Sequence, residues 1–173
     1  NDSAWIVGGN GYGLRLQNGN GTLVFFVDND SILSATLAQR TWYHIAGTWS
    51  SAGSNLWVNF ALADNDGVAH TNTVSGSPLT IGCSGVAGNN LTGIIRPVRV
   101  WNTALTQAQL LVNYRFVDPI NFGSSLVANF PLNLDGGAVL ANRSGTNATL
   151  NTSGDYAWQA YSYIWQGFDP YHY

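Results

Sequence analysis

The chain of 173 residues carries a formal net charge of −3, and only 9% of its residues are charged. It contains no Lys, no Glu and no basic cluster, so neither a nucleic acid nor an anionic membrane is an expected partner. No apolar run approaches the roughly 18 residues of a membrane-spanning helix, so membrane insertion is not expected either. Abundant Asn, Ser and Thr and the 20 Gly favour many tight turns and therefore many short strands.

Two hairpins are predicted in the first half of the chain. Residues 12–16 (YGLRL) and 22–27 (TLVFFV) flank QNGNG, which is a strong hairpin signal. Residues 42–49 (WYHIAGTW) predict another strand, and residues 56–60 and 68–74 flank DNDG, which predicts the second hairpin. This recurrence of short strands between turns is typical of an all-β sandwich.

Two further strands and one helix are predicted next. The strands cover residues 79–81 and 93–101, and Pro97 places the second one at a sheet edge or a bulge. The helix covers about residues 107–114 and begins with the capping box TQAQ at Thr106. The apolar stripe expected to pack consists of Leu110, Leu111 and Tyr114.

Three stretches of this half carry a family resemblance: residues 42–60, 77–82 and 93–114. They resemble the second half of a laminin-G-like, concanavalin-A-like jelly roll, the family that includes pentraxins and many lectin modules. In that family a single short helix packs over an open end of the sandwich. The resemblance therefore implies an all-β, concanavalin-A-like jelly-roll sandwich with one short helix.

The rest of the chain resembles the beginning of the same fold. Residues 124–150 resemble the family's first strands, and WQGFDPYHY at 165–173 resembles the aromatic strand that follows them. Residues 1–116 then correspond to the later strands and the helix, in rotated order. We expect one domain over 1–173, with 124–173 packed into the same sandwich. A permuted chain, strand exchange that gives a homodimer or higher oligomer, and a cut from a tandem array all remain open.

A binding function is favoured over catalysis. Sandwich glycosidases resemble one another in paired glutamates, but this chain has no Glu. His44, His70 and His172 have no evident acidic partner in the sequence, so an enzyme is not expected. Aromatic rings and amide groups, which suit sugar recognition, are abundant. The first functional prediction is a non-catalytic lectin for glycans on glycoproteins or polysaccharides; the alternative is a protein-interaction or structural laminin-G-like module of an extracellular protein.

The candidate site follows from the first hairpin. Its pairing brings the residue before the first strand, Asn10, to the residues after the second strand, Asp28, Asn29 and Asp30. In calcium-binding relatives an acidic or amide residue stands in the place of Asn10, so the resemblance implies a Ca²⁺ site with Asn10, Asp28 and Asp30 as ligands. A solvated turn cluster with no ligand is the alternative.

Sugar contacts are predicted around the same rim. The loop at residues 83–92 resembles the loop that closes this rim in pentraxins. Tyr12 is the expected stacking ring. The predicted carbohydrate-binding residues are Asn10, Tyr12, Asn29, Asn89 and Asn90, with Trp165 and Tyr171 from the tail.

The sequence also contains several N-glycosylation motifs. They begin at Asn1, Asn20, Asn29, Asn90, Asn142, Asn147 and Asn151. They predict a secreted, extracellular glycoprotein, and cytoplasmic storage is the alternative that stays open.

Overall fold

The computed structural model describes residues 3–9, 11–17, 21–28, 31–70, 79–83, 91–116, 119–132, 139–141, 143–144 and 149–151. They form one α-helix, α1 (Gln107–Tyr114), one 3₁₀ turn (Phe122–Ser124) and twelve strands. The strands are β1 (Ser3–Gly9), β2 (Tyr12–Gln17), β3 (Thr22–Val27), β4 (Ser31–Thr36), β5 (Ile45–Ser50), β6 (Gly53–Val58), β7 (Ala61–Asn65), β8 (Thr80–Ile81), β9 (Val98–Trp101), β10 (Leu126–Phe130), β11 (Val139–Ala141) and β12 (Thr149–Asn151). The predicted all-β class with one short helix is confirmed. Within the described ranges, no helix is both long enough and apolar enough to cross a membrane.

The chain divides into two compact units. The first comprises residues 1–95 and 102–121, and the second comprises 96–101 and 122–173. The first unit contains two antiparallel sheets, ordered β4-β3-β2-β1-β8 and β5-β6-β7. In the second unit β9 pairs with β10, and β11 pairs with β12. The β9–β10 ladder thus joins a strand from before the helix to one from after it, while the packing of all of 124–173 into one sandwich with 1–116 stays a prediction.

The core of the first unit lies between its two sheets. Alternate residues of β3 point into this core, as the period of a strand requires. A Cβ at Gly47 of β5 would overlap the Phe25 ring of β3, so the packing of the two sheets at this point requires a glycine. The buried core residues are Leu14, Leu23, Phe25, Val27, Leu33 and Leu56.

The first predicted hairpin is confirmed, and the second is wrong. Strands β2 and β3 pair from Tyr12 opposite Val27 to Gln17 opposite Thr22. Strands β6 and β7 turn at Asn59–Phe60 instead of at DNDG, and both turn residues have positive φ, 48° and 67°. Two consecutive positive φ angles are the signature of a type I′ hairpin turn.

The DNDG segment has another role because its second Asp bonds to the backbone. Asp66 Oδ1 accepts hydrogen bonds from the Ser54 N–H at 2.9 Å and from the Val68 N–H at 3.2 Å. Residues 66–70 form no strand, and their backbone N–H groups reach the carbonyls of Ser54 in β6 and Ser50 in β5. Residues 71–74 of the predicted strand lie outside the described residues.

The strand predicted at residues 42–49 begins three residues late, at Ile45. The His44 N–H donates to Asn59 Oδ1 at 3.0 Å, which is a side-chain acceptor rather than a strand neighbour. The Tyr43 hydroxyl accepts from the Ala38 N–H at 3.0 Å. Hydrogen bonds between backbone N–H groups and side-chain oxygens therefore hold the segment before β5.

One edge of the five-stranded sheet is closed by a side chain. The N–H of Ser34 in β4 donates to Asp64 Oδ2 of β7 at 2.9 Å. A carboxylate therefore occupies a position that another strand's carbonyl would take in a continuous sheet.

The helix has the predicted bounds and cap but not the predicted buried face. Thr106 Oγ1 accepts from the Gln109 N–H, and Gln109 Oε1 accepts from the Thr106 N–H at 2.8 Å. Leu110 is buried, whereas Leu111 and Tyr114 are 40% and 51% exposed. The predicted stripe is wrong for Leu111, because α1 buries Asn113 beside Leu110, whereas the half-exposed Tyr114 ring does pack, edge-on against other rings.

Candidate functional site

The candidate site lies at the rim where β2 begins and β3 ends. Tyr12 and Val27 are the last paired residues, and the Asp28 N–H donates to the Gly11 carbonyl at 2.6 Å. Backbone before β2 and backbone after β3 therefore meet here, as the hairpin geometry requires. Of the predicted site residues the structure describes Tyr12 and Asp28. The others, Asn10, Asn29, Asp30, Asn89, Asn90, Trp165 and Tyr171, lie outside the described residues.

Asp28 is held in a defined conformation at this rim. Its φ is +57°, in the left-handed region that Asp and Asn tolerate better than other residues with a side chain. Its Oδ2 lies 3.4 Å from Nδ1 of His70, and its side chain is 35% exposed. Asp28 thus offers solvent a carboxylate that is fixed from the protein side.

His70 lies between two carboxylates. Its side chain is only 4% exposed, and its Nε2 lies 3.4 Å from Oδ2 of Asp66. The His70 backbone N–H donates to the carbonyl of Ser50 at 3.1 Å. We name Asp28, Asp66 and His70 the rim cluster.

The third member of the rim cluster is fixed by β6. Besides the bonds to its Oδ1, Asp66 donates its backbone N–H to the carbonyl of Ser54 at 3.0 Å. A backbone pair and a side-chain bond between the same two residues leave Asp66 little freedom. The chain of contacts therefore runs from a sheet backbone through Asp66 and His70 to Asp28.

The sequence offered a weak signal for this cluster. Asp66 and His70 are four residues apart, Asp66 in the DNDG motif and His70 in the strand predicted at 68–74. The contact with Asp28 is made only through the tertiary fold, which no local pattern reports. The sequence interpretation that left His70 without an acidic partner is wrong, because two carboxylates flank its ring.

Tyr12 is used largely for packing. Its ring lies 5.5 Å from that of Trp49, which in turn lies 6.1 Å from the ring of Phe25. Burial raises the pKa of the Tyr12 hydroxyl, because the phenolate loses solvation there. The Tyr12 ring also lies over Gly9, where an added Cβ would come within 3.3 Å of it.

The described residues alone do not make a calcium site. Calcium takes about six to eight oxygen ligands, and the rim cluster has an imidazole between its two carboxylates. In the part of the chain that the structure describes, no three His, Cys, Asp or Glu side chains come together to hold a metal ion. The predicted Ca²⁺ site depends on Asn10 and Asp30, outside the described residues, so it stays a prediction.

A second histidine lies in an aromatic environment beside α1. The His44 ring stacks on Phe60 with centroids 4.4 Å apart, and Tyr114 contacts both rings edge-on, at 5.7 Å and 5.1 Å. The Gln107 side chain donates to the Phe60 carbonyl at 2.7 Å. We name His44, Phe60 and Tyr114 the helix cluster.

Comparisons with known proteins agree with this architecture. The family model of the Concanavalin A-like lectin/glucanases superfamily matches residues 1–111. Among solved structures, the chain is similar to a protein from Bacteroides ovatus ATCC 8483 described as a "putative carbohydrate binding protein", with a TM-score of 0.67 and 22% identity. This likeness of fold covers 92% of the chain but only 52% of that protein, so the chain spans about half of its length. No curated protein sequence matches the chain.

Proposed function

Because the chain belongs to the Concanavalin A-like lectin/glucanases superfamily, we propose that it binds glycans, without catalysis, at the rim of β2 and β3. Its fold is the predicted concanavalin-A-like sandwich. The superfamily name covers both lectins and glucanases, so the fold does not decide between binding and catalysis. The lack of any Glu in the chain favours binding. The Bacteroides protein's description as a carbohydrate binder supports the same choice.

The Asp28 carboxylate is the observation that carries this proposal. It is 35% exposed, and contact with His70 fixes one of its oxygens. A carboxylate oxygen in a fixed place accepts hydrogen bonds from adjacent sugar hydroxyls. Tyr12 is the first residue of β2 at the same rim, and its half-buried ring is the apolar surface proposed for a sugar.

Neutral sugars are the class of glycan that this charge distribution favours. The rim cluster carries two carboxylates, and the chain has no Lys and a net charge of −3. A uronic or sialic acid placed here would be repelled by Asp28 and Asp66. We therefore propose neutral hexose-containing glycans as ligands.

Calcium, secretion and self-association belong to the same proposal. Calcium would be held by Asp28 together with Asn10 and Asp30, and bound there it would orient sugar hydroxyls. The seven glycosylation motifs support secretion as a glycoprotein. Strand exchange through 124–173 would give a dimer, which light scattering detects.

A glycan array tests the proposal directly. The protein is applied in calcium and again in EDTA to neutral and acidic glycans, with the Asp28→Asn variant beside it. We expect binding to neutral glycans that the variant weakens, and a signal that falls in EDTA if calcium is a ligand. An array without signal, or one on which the variant binds like the wild type, would overturn the glycan site.

A protein-interaction module is the second candidate, and the surface of α1 favours it. Leu111 and Val112 are 40% and 39% exposed, and Tyr114 is 51% exposed. Exposed apolar side chains on one short helix are a feature of protein-binding surfaces. An array without signal, together with a normally folded chain, would favour this candidate.

A further inference from the structure

His70 is the least exposed member of the rim cluster, yet it connects the other two. Its ring nitrogens lie 3.4 Å from Asp28 on one side and 3.4 Å from Asp66 on the other. The side chain is 4% exposed, so a sugar at the rim has almost no access to it. Any effect of His70 on binding must therefore act through a neighbour.

The neighbour on the inner side is rigid. Asp66 accepts two backbone hydrogen bonds on Oδ1 and turns Oδ2 towards His70. The His70 backbone is itself bonded to the carbonyl of Ser50. The imidazole of His70 is therefore held by the hydrogen bond of its backbone N–H and by the fixed carboxylate of Asp66.

The neighbour on the outer side has more freedom. Asp28 is 35% exposed, and its backbone is tied to Gly11 by one hydrogen bond. The side chain of an exposed Asp samples several rotamers unless a partner selects one. His70 Nδ1 is the side-chain partner that the described structure gives to Asp28.

We propose that His70 is a positioning residue, which selects one rotamer of Asp28 and leaves Asp28 Oδ1 directed at the ligand. This proposal rests on the glycan-binding function proposed above and assigns His70 a part in it. One Asp28 oxygen faces the imidazole, and the other accepts from a hydroxyl of a neutral sugar. Losing His70 releases the carboxylate, so affinity falls although no ligand contact is removed.

Two substitutions separate positioning from mere structural support. In His70→Asn the amide nitrogen can take the place of Nδ1 and keep the contact with Asp28. In His70→Gln it can take the place of Nε2 and keep the contact with Asp66 instead. We expect about a tenfold or greater loss of affinity for Gln and a clearly smaller loss for Asn, as for one hydrogen bond to a charged group. If His70 had only a structural role, the loss of affinity in each variant would parallel its loss of stability.

The probes are three neutral polysaccharides, galactan, mannan and dextran, each titrated calorimetrically against wild type and variants. Urea unfolding gives the stability of the same samples. His44→Asn is the matched control, because His44 is half-buried among rings instead of carboxylates. It should lower stability and leave affinity unchanged.

A second measurement keeps the proposal testable whatever the glycan result. Proton coupling constants of the Asp28 side chain report its rotamer populations. We expect one rotamer in the wild type and in His70→Asn, and averaging in His70→Gln. Averaged couplings in the wild type, or equal affinities of the two variants, would overturn the role of His70. Failure of the wild type to bind any of the polysaccharides would count against the glycan function, while single-rotamer couplings would still support the positioning of Asp28.

Discussion

The rim cluster and the helix cluster each contain one histidine, in opposite environments. His70 lies between two carboxylates, whereas His44 stacks on Phe60 with its centroid 4.4 Å away. The first arrangement fixes a charged group that reaches solvent. The second covers apolar ring surface beside a helix. The same residue type therefore serves polar orientation in one place and packing in the other, and only its neighbours decide which.

The two clusters should contribute differently to the free energy of unfolding. Contacts in the helix cluster are ring contacts, which contribute to the free energy of unfolding. The Asp28 carboxylate of the rim cluster is 35% exposed and stays well solvated by water, so its contact with His70 makes a small net contribution to stability. Substitutions at the two clusters should therefore separate stability from binding.

The largest expected effect on stability comes from Phe60→Ala. It removes the stack on His44 and the edge contact with Tyr114. We expect a loss of about 2 kcal/mol in urea unfolding, less than for a fully buried Phe, with glycan affinity unchanged. Phe60→Gly is the informative control, because φ at this residue is +67° and glycine relieves the strain that alanine keeps. If Phe60→Ala lowered glycan affinity as much as a substitution in the rim cluster does, the contrast between the two clusters would be wrong.

Asp28→Asn should show the opposite pattern, with lower glycan affinity and little change in stability. Asn tolerates the left-handed backbone of Asp28 but removes the charge, so we expect about a tenfold loss of glycan affinity, or about 1.4 kcal/mol, with little change in stability. The matched control is Asp64→Asn, since Asp64 bonds to the Ser34 N–H outside the rim cluster. Calorimetric titration and urea unfolding measure both quantities. Equal affinities of the two variants would remove Asp28 from the site.

The helix cap gives a smaller effect on the helix side. Thr106→Ala removes the hydroxyl that accepts from the Gln109 N–H and should lower stability by about 1 kcal/mol. Thr106→Ser keeps the hydroxyl and should stay close to wild type. Thermal unfolding compares the three proteins, and an alanine variant as stable as the serine variant would show that the cap contributes nothing.

The smallest effect concerns alkaline pH at the rim. Burial raises the pKa of Tyr12, so the folded state holds the phenolic proton more tightly than the unfolded state does. This stabilisation is fully present below the unfolded pKa of about 10 and is lost as pH rises from there through the higher folded pKa. Tyr12→Phe lacks the ionisation, so its urea midpoint should fall less than that of the wild type as pH rises above about 10. Parallel pH profiles of the two proteins would contradict this assignment.

Local chemistry explains which parts of the fold could be predicted from the sequence. The cap at Thr106 and the hairpin between β2 and β3 depend on residues a few positions apart, and both are confirmed. The turn at Asn59–Phe60 cannot be predicted from the sequence, because Phe rarely adopts a positive φ such as the +67° observed here. The DNDG motif predicts a turn by its residue types, since the hydrogen bond that Asp66 accepts from the Ser54 N–H of β6 leaves no local trace in the sequence.

The candidate site also depends on a contact that local sequence patterns cannot predict. Pairing within one hairpin placed Asp28 at the rim, which is a local inference. The approach of His70 to Asp28 depends on how two sheets and the segment after β7 pack together. Such a contact joins residues far apart in the chain, so composition and periodicity carry no information about it.

The carboxylate of Asp64 at the edge of β4 has a consequence for the protein in concentrated solution. Because it occupies the Ser34 N–H, an incoming strand of another molecule meets a negative charge where it needs a hydrogen-bond donor. Extending the sheet across this edge would break that bond and bury the carboxylate at a desolvation cost, which the hydrogen bond from the Asn65 N–H to Asp64 Oδ1 offsets only in part. The edge therefore resists fibril nucleation by like molecules, a protection that a chain with so few charged residues cannot obtain from overall repulsion.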